Sequence, residues 1–196
     1  TGTITSGQPE VVELLPAKAV TADEMLAVAA SAEQLSRHPI AQAISTEAER
    51  RGLPVDAAEQ LEVIPGRGIV ATSGQSTVLS GSEPLLAEHD VDLQDLDHQE
   101  LSRQQHMGRT AVLVARDRQL LGAILVTDQP VEHAEESIAS LEAMGLQVQM
   151  VSGDRRATAE AIARMVGISD VCAEVTPVGK QQLVAQLKSN GRHVCM

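Results

Sequence analysis

The sequence contains no phenylalanine, tyrosine or tryptophan. Its core must therefore be built from Leu, Val, Ile, Ala and Met, and any side chain that stacks on a planar ligand has to be His or Arg. A single-stranded nucleic acid, normally held by bases stacked on aromatic rings, is not expected as a partner. Basic residues are also scarce. Fifteen Lys and Arg against 27 Asp and Glu leave a formal net charge of -12, which argues against any partner whose phosphate backbone must be neutralised by cations. Cysteine occurs only at Cys172 and Cys195, without paired spacing; this suits a reducing compartment and offers no metal framework. The six histidines (38, 89, 98, 106, 133 and 193) show no metal-ligand spacing either. No apolar run approaches the roughly 18 residues of a membrane helix. The first residues, Thr-Gly-Thr-Ile-Thr-Ser-Gly, are neither basic nor apolar, so no secretory leader is expected. Because no initiator Met is present, the chain reads as a fragment or a processed product.

What remains is an ordinary globular composition, 43% hydrophobic and 21% charged over 196 residues, enough for one large or two small domains. Residues 1–8 read as a polar loop and 9–15 as a strand. Thr21-Ala22-Asp23-Glu24 is a capping box opening a helix from about 22 to 35. Pro39 opens a second helix, to about 51, with Gly52 behind it. A strand at 59–64 leads to Pro65-Gly66-Arg67-Gly68. Residues 69–72 and 77–79 then flank the turn signal Ser73-Gly74-Gln75-Ser76. A short helix is predicted near 83–88 and another ends at Gly108. Residues 111–115 and 120–126 pair as a second hairpin. After Thr127-Asp128-Gln129-Pro130 the pattern becomes alternating: helix 132–144, strand 147–151, helix 155–166, strand 171–174, helix 177–189 and the start of a strand at 193–196. Alternation of this kind indicates a parallel α/β sheet. The fold class is therefore α/β (α+β). An antiparallel sheet flanked by helices, residues 7–124, is inserted in a partial parallel α/β domain made of residues 1–6 and 125–196.

Several residues could carry chemistry. His38 sits at the lip of a helix N-terminus, where an imidazole can present its flat face to a ligand near a helix end that favours negative charge. Glu33, at the end of the preceding helix, could hydrogen-bond an amino group of the same ligand, although most such glutamates are simply exposed. Gly66-Arg67-Gly68 after a strand allows positive φ and close backbone approach. It lacks the third glycine and the helix of a dinucleotide site, so an ordinary turn is the simpler reading. Gly81 carries the same ambiguity. Ser152-Gly153-Asp154 ends a strand, where ligands of open α/β sheets bind; Asp154 could equally be only an N-cap. Lys180, in the first turn of the helix begun by Pro177, could offer a point charge to a phosphate or simply be solvated.

In order and along essentially the whole chain, these stretches resemble the cytoplasmic ATP-binding region of a P-type ATPase. Thr1-Gly2-Thr3-Ile4-Thr5 resembles the tail of the family's D-K-T-G-T-[LI]-T phosphorylation motif. Ser152-Gly153-Asp154 is similar to its T-G-D, Asp128-Gln129-Pro130 to its D-x-x-P hinge but without an intervening Arg, and Pro177 with Lys180 to its P-x-x-K. Ser36-Arg37-His38-Pro39 resembles the S-E-H-P of the heavy-metal-transporting branch. Arg37 stands where that motif has Glu, and Ser82 stands where a Gly-Asn pair is usual.

The resemblance implies a haloacid-dehalogenase-like phosphorylation domain (1–6 and 125–196) around a nucleotide-binding domain (7–124). It implies ATP bound by Glu33, His38, Gly66, Gly68, Ile69 and Gly81. It gives catalytic roles to Thr1, Thr3, Ser152, Gly153, Asp154 and Lys180 around the γ-phosphate, and a backbone carbonyl of Thr1 to Mg²⁺. The phosphoryl-accepting Asp would lie two residues before Thr1, and the Mg²⁺-binding motif just after Met196. The peptide as written is thus expected not to hydrolyse ATP by itself. The parent would be an integral membrane protein exporting or importing a heavy-metal cation such as Cu⁺, with this segment on the cytoplasmic face beside its membrane and actuator domains. Two alternatives stay open: a soluble phosphatase of the same superfamily, and a stand-alone nucleotide-binding regulatory module.

Overall fold

A computed structural model describes residues 4–56, 58–153 and 156–195. The first strand, β1 (Glu10–Pro16), is followed by two helices, α1 (Ala22–Glu33) and α2 (Pro39–Arg50). Thr21 caps α1 as its sequence requires, its hydroxyl accepting from the Glu24 N–H at 3.1 Å. Four strands and two helices complete the first unit: β2 (Gln60–Ile64), β3 (Gly68–Ser73), β4 (Ser76–Gly81), α3 (Glu83–Glu88), α4 (His98–His106) and β5 (Thr110–Arg116), closed by the long β6 (Gln119–Thr127). The six strands form one antiparallel sheet in the order β1-β6-β5-β4-β3-β2.

The central strands are apolar on both faces because both faces are covered. On one face α1 and α2 bring Met25, Leu26, Ala29 and Ile44 against Val112, Val114, Ile124 and Val126. On the other, α3 and α4 bring Leu85, Leu86 and Leu101 against Leu79, Leu113 and Leu125. Met25, Leu26 and Ile44 are wholly buried without an aromatic among them; truncating one to Ala would cost about 2–5 kcal/mol. The chain leaves this sheet at Thr127, so β6 carries it past residue 124.

The second unit contains α5 (Ala134–Ala143), β7 (Gln149–Val151), α6 (Arg156–Met165), β8 (Asp170–Cys172) and α7 (Pro177–Ser189). β7 and β8 pair in parallel, as the alternating pattern predicts. Met150, Ala159, Ile162, Val166 and Ile168 form its core. The strand expected at 193–196 is not seen: residues 193–195 are irregular, and Met196 lies outside the described residues. An extended segment becomes a strand only where a neighbour supplies ladder bonds, and among the described residues this ladder pairs β7 with β8.

The two units are joined by chain segments that run side by side. Thr5 and Pro130 form an antiparallel bridge, Ser6 N–H donates to the Gln129 carbonyl at 3.0 Å, and Val131 N–H donates to the Ile4 carbonyl at 2.8 Å. Asp128 Oδ1 accepts from both the Ser6 hydroxyl and the Gly7 N–H at 3.1 Å. A second contact lies between α4 and α6. A Cβ on Gly108 would stand 2.6 Å from the Ala161 Cβ, and Arg164 donates to the His106 carbonyl at 3.2 Å.

Candidate functional site

The site begins with a turn. Ser36 N–H donates to the Glu33 carbonyl at 2.8 Å, folding the chain back between α1 and α2 and bringing Glu33 and His38 to one side. His38 is the N-cap of α2, and its Nδ1 accepts from the Ile40 N–H at 3.2 Å. With Nδ1 an acceptor, the neutral ring carries its proton on Nε2. The side chain is exposed, so its free face and its Nε2–H are both available to a ligand.

Glu33 departs from expectation: it is buried, with 6% of its surface exposed. Its Oε1 accepts from the Ser80 hydroxyl at 2.7 Å. Burial pushes its pKa above the usual carboxylate range, and the hydroxyls of Ser80 and Ser36 only partly offset this. The other carboxyl oxygen has no hydrogen bond to Ser80, which leaves acceptor capacity for a ligand amine.

The glycines occupy the next strands. Gly66, with φ +73°, closes the turn from β2 to β3, and a Cβ there would meet nothing within 4 Å. Gly68 and Gly81 are direct cross-strand partners on β3 and β4. A Cβ on Gly68, where φ is +140°, would stand 2.2 Å from the Ser80 carbonyl oxygen, and one on Gly81 would stand 2.2 Å from the Arg67 carbonyl oxygen. Gly66 is therefore needed for conformation, Gly81 for space and Gly68 for both. Together they leave a stretch of bare backbone at the end of the sheet.

These parts converge. Glu33, His38, Gly66, Gly68, Ile69 and Gly81 all line one cleft of about 740 Å³, a size in the range of small-molecule sites. Ile69 is mostly committed to the core against Ala32 and Ala71. The facing wall comes from Gln105, Arg109, Gly153 and Thr158, so the cleft lies between the two units. Ser80 and Arg109 are participants that the sequence reading missed; no local motif marks either.

Of the predicted catalytic residues, Ser152, Gly153 and Lys180 are described. Gly153 lines the cleft, whereas Ser152 and Lys180 do not. Ser152 is buried, and its backbone extends the β7–β8 pairing: its N–H donates to the Cys172 carbonyl and its carbonyl accepts from Val175 N–H. Lys180 is half-buried in the first turn of α7. Thr1, Thr3 and Asp154 lie outside the described residues, and nothing about the Pro177 side chain is described. Among the described residues no group of three or more His, Cys, Asp or Glu side chains could hold a metal ion. Those residues do not make up a Mg²⁺ site by themselves.

A model of the haloacid dehalogenase-like hydrolases matches residues 1–196. The chain belongs to that family. Within it, the chain is similar along its whole length to heavy-metal P-type ATPases. It is 38% identical over 194 residues to a copper-transporting ATPase 2 of Rhizobium meliloti, covering 99% of this chain and 23% of that protein. It is 37% identical over 196 residues to a copper-exporting P-type ATPase of Staphylococcus epidermidis, covering 100% of this chain and 24% of the relative. The chain thus spans about a quarter of the length of these relatives, which are translocating ATPases.

Among solved structures, a zinc-transporting PIB-type ATPase in its E2.Pi state superposes with a TM-score of 0.71 at 30% identity, over 97% of this chain and 30% of that one. The catalytic CPx-ATPase domain CopB-B superposes with a TM-score of 0.69 at 24% identity, over 98% and 65% respectively, which is a likeness of fold. The antiparallel sheet with its helices and the smaller parallel unit are therefore the architecture of this family's P-type members.

Proposed function

We propose that the chain is the ATP-binding cytoplasmic part of a heavy-metal P-type ATPase with Cu⁺ as its cargo, residues 7–124 binding the nucleotide and residues 1–6 and 125–196 belonging to the phosphorylation domain. The observation that carries this reading is convergence: Glu33, His38, Gly66, Gly68 and Gly81, from separate elements, line one cleft. In a chain without Phe, Tyr or Trp, His38 is the planar side chain placed to lie against adenine. Its tautomer is fixed by the cap to Ile40, which holds the ring in one orientation. Glu33, anchored through Ser80, accepts from the exocyclic amine. The backbone at Gly66, Gly68 and Gly81 lets the phosphates come close, and Gly153 faces them from the other unit.

Hinge motion about the paired segments at Asp128 brings the terminal phosphate toward a carboxylate nucleophile preceding Thr1, with Ser152, Asp154, Lys180, Thr1 and Thr3 around it. Among the described residues no helix is long and apolar enough to cross a membrane, so membrane and actuator parts of the parent are the chain's partners under this reading. The test is a longer protein that includes the residues before Thr1 and after Met196, incubated with γ-phosphate-labelled ATP. An acid-stable, hydroxylamine-labile phosphoprotein supports the reading. Absence of label from a folded, ATP-binding protein contradicts it.

A further inference from the structure

We propose that Arg67 binds the polyphosphate of the nucleotide, exchanging its partner Glu88 for the ligand. This rests on the nucleotide reading and adds a charged contact to it. The sequence carries a net charge of -12, and among the described residues two carboxyl side chains, Glu33 and Glu83, line the cleft. A polyanion entering it needs a cation close by. Among the described residues two guanidinium groups line the cleft, those of Arg67 and Arg109.

Their situations differ. Arg109 is held by two neighbours, donating to Glu13 Oε2 at 2.7 Å and to Gln104 Oε1 at 2.5 Å. Arg67 is paired with one, Glu88 of α3, and both side chains are well exposed, at 44% and 55%. Exposed ion pairs of that kind contribute little and are readily exchanged, whereas a guanidinium meeting a phosphate can donate two parallel hydrogen bonds.

The backbone of Arg67 is fixed at both ends. Its N–H donates to the Ile64 carbonyl at 3.0 Å, and its carbonyl accepts from the Ser82 N–H at 2.7 Å. Only the side chain has to move. It also springs from between Gly66 and Gly68, the place where bare backbone admits the phosphates. The base end of the cleft holds Glu33 and His38. Arg67 therefore distinguishes a nucleoside triphosphate from a nucleoside by charge.

The experiment is calorimetric titration of the 196-residue chain and of Arg67→Ala, Arg67→Lys and Glu88→Gln with ATP, AMP and adenosine at fixed ionic strength. Arg67→Ala is expected to weaken ATP about tenfold and to leave adenosine within about twofold, the range set by losing a charge-assisted pair. Arg67→Lys restores part of the loss, which also shows that the loop has kept its fold. Glu88→Gln, which frees the guanidinium, tightens ATP by about two- to threefold, an effect that fades as salt is raised. If Arg67→Ala affects ATP and adenosine equally, or neither, Arg67 has no phosphate role while the nucleotide reading stands. If the unmodified chain shows no saturable binding of ATP or adenosine, the nucleotide reading itself is overturned, and this inference with it.

Discussion

Replacing His38 should produce two separable effects, because the side chain does two jobs with different atoms. Its Nδ1 accepts from the Ile40 N–H at 3.2 Å and caps α2; its ring face and Nε2 point to solvent at the cleft. Losing the cap by His38→Ala should cost about 1 kcal/mol, which for a protein of this size lowers Tm by about 2–4 °C. Losing the ring removes a stacking surface worth about 1–3 kcal/mol per base, a weakening of ATP by about five- to a hundredfold. His38→Asn separates the two. Asparagine is among the best N-caps, so Tm should return to near that of the parent chain while ATP affinity stays low. Thermal unfolding and calorimetry on the same three proteins read both numbers. Parental ATP affinity in His38→Asn would refute the adenine role. An unchanged Tm in His38→Ala would refute the cap.

Two further substitutions test the cleft's construction. Glu33→Gln keeps an acceptor for Ser80 but removes a carboxyl that burial makes reluctant to ionise. Because its folded pKa lies above the ordinary value of 4.5, the folded state binds the proton more tightly, and stability is lost as pH rises from that value through the folded pKa. The variant should therefore melt higher than the parent at pH 8, with the advantage gone by pH 4; an advantage that grows on acidification contradicts the buried carboxyl. Gly68→Ala must place a Cβ 2.2 Å from a backbone oxygen and should cost about 3–5 kcal/mol, whereas Gly66→Ala, with open space and φ +73°, should cost about 1–2 kcal/mol. Denaturant unfolding of the pair would contradict the distinction if both lost the same.

Local chemistry was legible wherever it is written in consecutive residues. The capping box at Thr21, the proline opening α2 and the turn signal between β3 and β4 each lie where the sequence puts them. The switch from antiparallel to alternating pattern at 127–130 also coincides with the end of β6. What failed depends on residues far apart in sequence. Burial of Glu33 is decided by Ser80, 47 residues later, and no pattern around Glu33 reveals that partner. The opposition of Gly68 and Gly81 is a matter of strand register, invisible to a motif that counts only G-x-G.

Amide NMR of the isotope-labelled chain titrated with ATP tests the central claim most directly. If the cleft between the units is the nucleotide site, saturable shifts should appear at Glu33, His38, Gly66, Gly68 and Gly81, with weaker ones at Gly153 across the cleft. Resonances that do not move at saturating ATP, or that move only in β7, β8 and α7, would contradict it.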